Sequence, residues 1–328
     1  MINIEDIVRP VAMDFRDFED AFANALFTEN TLLREVLQWA TAKRGKQLRP
    51  ALVLLSAQLC NRGGAGINGK TVQAAVALEL MHTASLIHDD VIDNSDLRRG
   101  QESVWKHWNR KVAVLAGDYI LSKAMALIGN LRNLQIMNIV LDLTSSLSSG
   151  ELLQLNYTGE NIFLTEEESM RITEMKTASL FSACAEVGAV SAGATMKQQT
   201  ALREYGRHLG ICFQLKDDAF DYSESEELGK PTMSDIRDGK LTLPLIVSLQ
   251  RATRTDRQYI HDLLLRPLSE DGLQEIKSFV LRYDGLGYTH RKMQEHYNAG
   301  LECLSVFREG RLRSSMEELL RYAVVRTN

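Results

Sequence analysis

Two short acidic runs are the part of this chain best equipped for chemistry. Asp89-Asp90-Val91-Ile92-Asp93 and Asp217-Asp218-Ala219-Phe220-Asp221 share the spacing D-D-x-x-D. On a helix the first and last aspartates of each run lie at i and i+4 on one face, and the middle one flanks them. Three carboxylates on one short arc repel one another unless a cation sits among them. Hard oxygen donors suit Mg²⁺, which takes one or two carboxylates and completes its shell with water and phosphate oxygens. A single triplet reads more simply as a solvated helix end. Two of identical spacing, each at the polar end of an apolar helical run (Val72 to Ile87 and Leu209 to Leu215), point to paired jaws for several divalent ions.

Basic groups at fixed places complement them. Lys46 and Arg49 lie three apart in Gly45-Lys46-Gln47-Leu48-Arg49-Pro50, a turn with a flexible glycine and a proline that can open a helix. Together they can clamp a diphosphate, the lysine as a point charge and the arginine as a fork; the alternative is a solvated turn. Arg98-Arg99-Gly100 follows the first triplet, Lys176-Thr177 stands alone, and Gly239-Lys240-Leu241-Thr242-Leu243-Pro244 follows the second. His82 lies two turns before Asp89 on the same face, where a lone histidine is ordinarily a core residue.

With these motifs in this order, the chain resembles the trans-type polyprenyl diphosphate synthases of the isoprenoid synthase family nearly end to end. The resemblance implies about three Mg²⁺ per active site, held by Asp89, Asp90, Asp93, Asp217, Asp218 and Asp221. It implies that isopentenyl diphosphate meets Gly45, Lys46, Arg49, His82 and Arg99. The allylic diphosphate meets Arg98, Lys176, Thr177, Gln214, Lys230 and Lys240, and all of these but Arg98 are the candidate catalytic groups. It also implies a homodimer. Glu151 and Gln154 stand where short-product members often have Gln and Asp, which leaves their contacts open. His88 reads as structural or as a support to the motif, and Asp235 and Asp238 as outer contacts to the metals.

The elements that must position these groups are helices. Only five prolines occur, none between Ala51 and Lys230, and apolar residues recur at helical rather than alternating spacing. The expectation is an all-α fold: one domain, residues 1–328, a helical bundle of the isoprenoid synthase type with a central cavity. Phe15, Phe18 and Phe22 read as core, Asn30 as a helix cap, and Thr165 with Glu168 as a capping box for the helix presenting Lys176. The small residues of Ala113 to Gly117 suggest close helix packing. Arg62 to Gly66 reads as a connector, Ser223 to Gly239 as a mobile loop, and Glu309 to Arg326 as an amphipathic helix.

At 328 residues with a net charge of −5 and a pI near 5.9, binding to nucleic acid by bulk charge is excluded. Cys60, Cys184, Cys212 and Cys303 lie far apart without C-x-x-C spacing, as buried thiols in a reducing cytoplasm would. The N-terminus lacks a signal-peptide pattern, and no uninterrupted apolar run is long enough to span a bilayer. Transient membrane contact for release of an apolar product stays open.

A helix rises about 5.4 Å per turn, close to one isoprene unit, so residues one to three turns before Asp89 act as depth marks for the growing tail. Ala84 and Ser85 are small where farnesyl-producing members tend to carry aromatics. Met81 and Leu80 are flexible, and Ala77 is small again. The expected product is therefore long, in the family's range for respiratory quinone side chains. The alternatives are a shorter-chain (geranylgeranyl or farnesyl) synthase and a non-catalytic regulatory subunit of a heteromeric synthase, which would lack one of the two motifs.

Overall fold

The computed structural model describes residues 3–43, 45–61, 67–157, 163–222 and 233–326. They are helical almost throughout, in accord with the helical spacing of their apolar residues. The chain divides into two compact units. The first comprises Met1–Leu141, Ala183–Arg203 and Val306–Met316; the second comprises Asp142–Ser182, Glu204–Ser305 and Glu317–Asn328.

In the first unit, Leu48–Cys60 is apolar on nearly every face and correspondingly buried. The long helix Gly69–Ile92 starts at an Asn68 cap, whose Oδ1 accepts from the Thr71 N–H at 3.0 Å. It packs against Leu48–Cys60, Ala12–Ala25 and Arg110–Asn130. Small residues make the last contact close. A Cβ at Gly117 would lie 2.2 Å from His88 Nε2, so the His88 ring fills the space that glycine leaves. That ring nitrogen lies 3.2 Å from the Val114 carbonyl and 3.4 Å from Asp118 Oδ1. Phe18 and Phe22 are buried, with Phe15 tilted against Phe18 at 5.5 Å, and Asn30 caps Thr31–Ala42 through the Leu33 N–H.

One element departs from the helical expectation. Leu97–Arg98 and Gln101–Glu102 pair as an antiparallel hairpin, closed by Arg99 (φ 53) and Gly100 (φ 69). Two consecutive residues with positive φ make the two-residue primed turn whose twist suits a hairpin. Strands of two residues leave no period to read, so the cue was only the Arg-Gly pair. Within the helix Arg110–Asn130 an 18-residue window has a mean hydropathy of 1.5, so by length and composition the helix could cross a membrane. Asp118 and Lys123 interrupt its apolar run.

In the second unit, Thr165 and Glu168 form the expected reciprocal capping box at the start of Glu166–Thr173. This helix continues into a π-helical turn, Glu174–Ala178. The apolar core joins Tyr222, Ile236, Leu245, Ile276 and Phe279. Of the expected loop 223–239, residues 223–232 lie outside the described residues, as do 62–66. Ser234–Arg237 forms a helical turn instead. Near the C-terminus the chain is helical from Arg311 to Val325. The thiols of Cys60, Cys184 and Cys212 are buried and that of Cys303 is half-buried; burial pushes Cys184 and Cys212 up to about 12.

Candidate functional site

Asp89, Asp90 and Asp93 occupy the last turn of Gly69–Ile92, with Asp93 as the cap residue donating its N–H to the Asp89 carbonyl at 2.8 Å. A helix C-terminus carries partial negative charge, so these carboxylates are opposed by the peptide dipoles as well as by each other. One of the three is already neutralised: Arg98 donates through Nε (2.9 Å) and Nη2 to Asp90 Oδ1. Asp90 is 3% exposed, and burial pushes its carboxyl above the usual range against the pull of Arg98. Asp89 and Asp93 are half-buried.

Beside this end of the helix lies a recess whose walls include Trp39, Lys43, Glu79, His82, Arg98 and Arg99. Burial, reinforced by the positive charges of Arg49, Arg99 and Arg98, holds the His82 pKa well below the usual histidine range. His82 is therefore a neutral hydrogen-bonding group at pH 7. Arg99 Nη1 donates to the Lys43 carbonyl at 2.6 Å, and Lys43 Nζ lies 3.4 Å from the carbonyls of Arg99 and Gly100. A Cβ at Gly45 would fall 2.6 Å from Arg99 Nη2, so glycine there lets the guanidinium lie against the turn. Lys46 is exposed on that turn, and Arg49 is half-buried in the first turn of Leu48–Cys60. Among the depth marks, Ala77, Leu80, Met81 and Ala84 are buried; Ser85 is half-buried and donates its hydroxyl to the His82 carbonyl at 2.9 Å. Trp39, Lys43 and Glu79 were not singled out from the sequence. Only Lys43 offered a signal, as the first of a basic run.

In the second unit, Asp217, Asp218 and Asp221 likewise end a long helix, Met196–Phe220. Asp217 Oδ1 pairs with Arg326 Nη2 at 2.6 Å. The same guanidinium donates to the Phe213 carbonyl at 2.9 Å and lies 3.8 Å from the centre of the Phe213 ring. Asp218 Oδ1 accepts from Gln214 Nε2 at 3.0 Å, and Gln214 Oε1 accepts from the Thr177 hydroxyl at 2.7 Å. Asp221 accepts the Ser234 N–H (2.7 Å), the Ser234 hydroxyl (3.0 Å) and the Asp235 N–H (3.2 Å), and so caps the Ser234–Arg237 turn. Burial, followed by Asp221, raises Asp235 to about 6, with the charge of Lys240 acting in the opposite direction. Burial raises Asp218 to about 7.

Lys176 and Thr177 are both in the π-turn, a distortion frequent at functional sites. Lys176 Nζ is 2.5 Å from Glu151 Oε2 and also donates to Gln154 Oε1. The two residues whose contacts the sequence left open are thus the ones that hold Lys176. Lys230 lies outside the described residues.

Each helix end offers hard carboxylate oxygens, the donor type that Mg²⁺ takes, while among the described residues no group of three or more His, Cys, Asp or Glu side chains is set to hold a metal ion. Burial divides the six aspartates: Asp90, Asp218 and Asp221 are buried, whereas Asp89, Asp93 and the Arg326-paired Asp217 are half-buried.

Residues 30–280 match the polyprenyl synthetase family model. The chain belongs to that family. It is a prenyltransferase of the isoprenoid synthase fold. It is 33% identical to a short chain isoprenyl diphosphate synthase of Methanothermobacter thermautotrophicus and 31% identical to the octaprenyl diphosphate synthase of Escherichia coli K12, over 99% of both chains in each case. It superposes on the crystal structure of a decaprenyl diphosphate synthase from Rhodobacter capsulatus with a TM-score of 0.91, at 31% identity and 98% coverage of each chain.

Proposed function

We propose that residues 1–328 form one Mg²⁺-dependent trans-polyprenyl diphosphate synthase domain that extends an allylic diphosphate with isopentenyl diphosphate to a long all-trans chain, for a quinone side chain. The observation that carries this reading is the repeated placement of a D-D-x-x-D triad on the C-terminal end of a long helix, each triad with one aspartate held by an arginine.

Asp89, Asp93 and Asp217 are the proposed metal ligands. Asp90 instead holds Arg98 towards the allylic diphosphate, and Asp221 anchors the turn that leads to Lys240. When bound, Mg²⁺ neutralises the charge that grows on the leaving diphosphate. Lys176, kept in place by Glu151 and Gln154, and Lys240 bring further positive charge to that group; Thr177 and Gln214 supply hydrogen bonds. Lys46, Arg49, Arg99 and neutral His82 hold isopentenyl diphosphate so that its double bond attacks the allylic carbon as the C–O bond breaks. The proton lost afterwards goes to the released diphosphate.

Product length rests on Ala84 and Ser85, because relatives of similar identity include both short- and long-chain synthases. Extracting and chromatographing the products made from isopentenyl diphosphate and a series of allylic primers tests it. Chains longer than geranylgeranyl support the long-chain reading; products stopping at geranylgeranyl or farnesyl support the short-chain alternative. We also read the protein as a cytoplasmic homodimer. Supporting the dimer, Val114 and Leu115 are 41% and 68% exposed on the apolar helix Arg110–Asn130.

A further inference from the structure

We infer that Trp39 is a positioning residue for isopentenyl diphosphate, acting through the hairpin that carries Arg99; this rests on the prenyl-transfer reading above. Two residues per strand cannot hold a hairpin in register by ladder bonds alone. Arg99 adds to the difficulty, since its φ of 53° lies in the left-handed region that side-chain-bearing residues disfavour. The hairpin is therefore fixed from outside.

The support comes from one helix end. Trp39 Nε1 donates to the Glu102 carbonyl at 2.9 Å, and Gln101 Nε2 donates to the Trp39 carbonyl at 3.1 Å. The His107 ring stacks on Trp39, centroids 3.9 Å apart and planes at 20°, and its Nδ1 is 2.9 Å from Glu102 Oε2. One turn further on, Lys43 exchanges contacts with the Arg99–Gly100 turn. Trp39 thus fixes the second strand while Lys43 fixes the tip, and between them they set where the Arg99 guanidinium lies against Gly45. Arg98 is anchored separately by Asp90. Loosening the Trp39 contact should accordingly weaken the isopentenyl side of the site and spare the allylic side.

The test uses the full chain and two variants. Trp39→Phe keeps a ring for His107 to stack on but removes the N–H, and Gln101→Met removes the reciprocal bond from the other partner. Isopentenyl diphosphate alone is titrated calorimetrically, and KM is measured for each substrate. Losing one such hydrogen bond predicts about five-fold weaker isopentenyl diphosphate binding. The loss should appear in that KM rather than in kcat, with the allylic KM altered by less than about two-fold on the same scale. In the parent chain the titration should also change tryptophan emission, and Trp39→Phe should remove most of that change. Unaltered binding in both variants, or equal weakening of both substrates, would overturn the inference while leaving prenyl transfer intact. A parent chain that binds no isopentenyl diphosphate would overturn the prenyl-transfer reading itself. Should Trp39→Phe fail to fold, Gln101→Met decides.

Discussion

Aspartates that look alike in the sequence do different work. Asp89 meets partial solvent at a helix end, whereas Asp90, one residue on, is buried against Arg98. Asp89→Asn should therefore lower the melting temperature by less than Asp90→Asn does and raise the Mg²⁺ concentration needed for half-maximal transfer by roughly ten-fold or more. Asp90→Asn should act mainly on stability. Breaking a fully buried pair costs about 3–5 kcal/mol; because the Arg98 side chain is 39% exposed, about 1–2 kcal/mol is the better expectation, a fall of about 1.5–3 °C for a chain of 328 residues. A calorimetric scan of the two variants checks both. Arg326 supplies the counter-charge for Asp217 with its own side chain 6% exposed, so a divalent ion binding Asp217 competes with it. Arg326→Met should tighten Mn²⁺ binding, measured by titration, by a few-fold on the scale of one charge-assisted contact; unchanged affinity would contradict Asp217 as a ligand.

Long helices and their caps were legible because periodicity and cap chemistry act locally: Asn30, and Thr165 with Glu168, are where the residue types require them. The acidic triplets were legible as motifs. The partners that hold individual carboxylates were not, since these are Arg98, Gln214, Ser234 and Arg326, set 8, 4, 13 and 109 residues from the aspartates they meet. The π-turn carries no cue in a period-3.6 reading. Within the helix Gly69–Ile92, Ala84 is 2% exposed, so a larger side chain there must press on its surroundings. Ala84→Phe should shorten the product sharply, and an unchanged product length would remove the depth-mark argument. His208 Nδ1 and His296 Nδ1 lie 2.9 Å apart. Burial, then His208, Arg207 and Lys292, depress His296 from its ordinary 6.5 to about 4. The unfolded chain takes up that proton before the folded one does, so stability present above about pH 6.5 is lost as pH falls towards 4. Denaturant melts at several pH values should show this slope, and His296→Asn should flatten it.

At the scale of the whole molecule, a protein with net charge −5 gathers cationic side chains at a few points and sets acidic ones on helix ends that already carry partial negative charge. Such an arrangement is costly without divalent cations and anionic ligands to complete it. The most direct check is release of labelled diphosphate from an allylic substrate together with incorporation of isopentenyl diphosphate, by the parent chain and by Asp89→Asn and Asp217→Asn. Mg²⁺-dependent, stoichiometric release and incorporation are expected in the parent, with each variant slower by roughly a thousand-fold. Transfer that persists in chelator, or that neither substitution slows, would contradict metal-held diphosphate as the basis of the reaction.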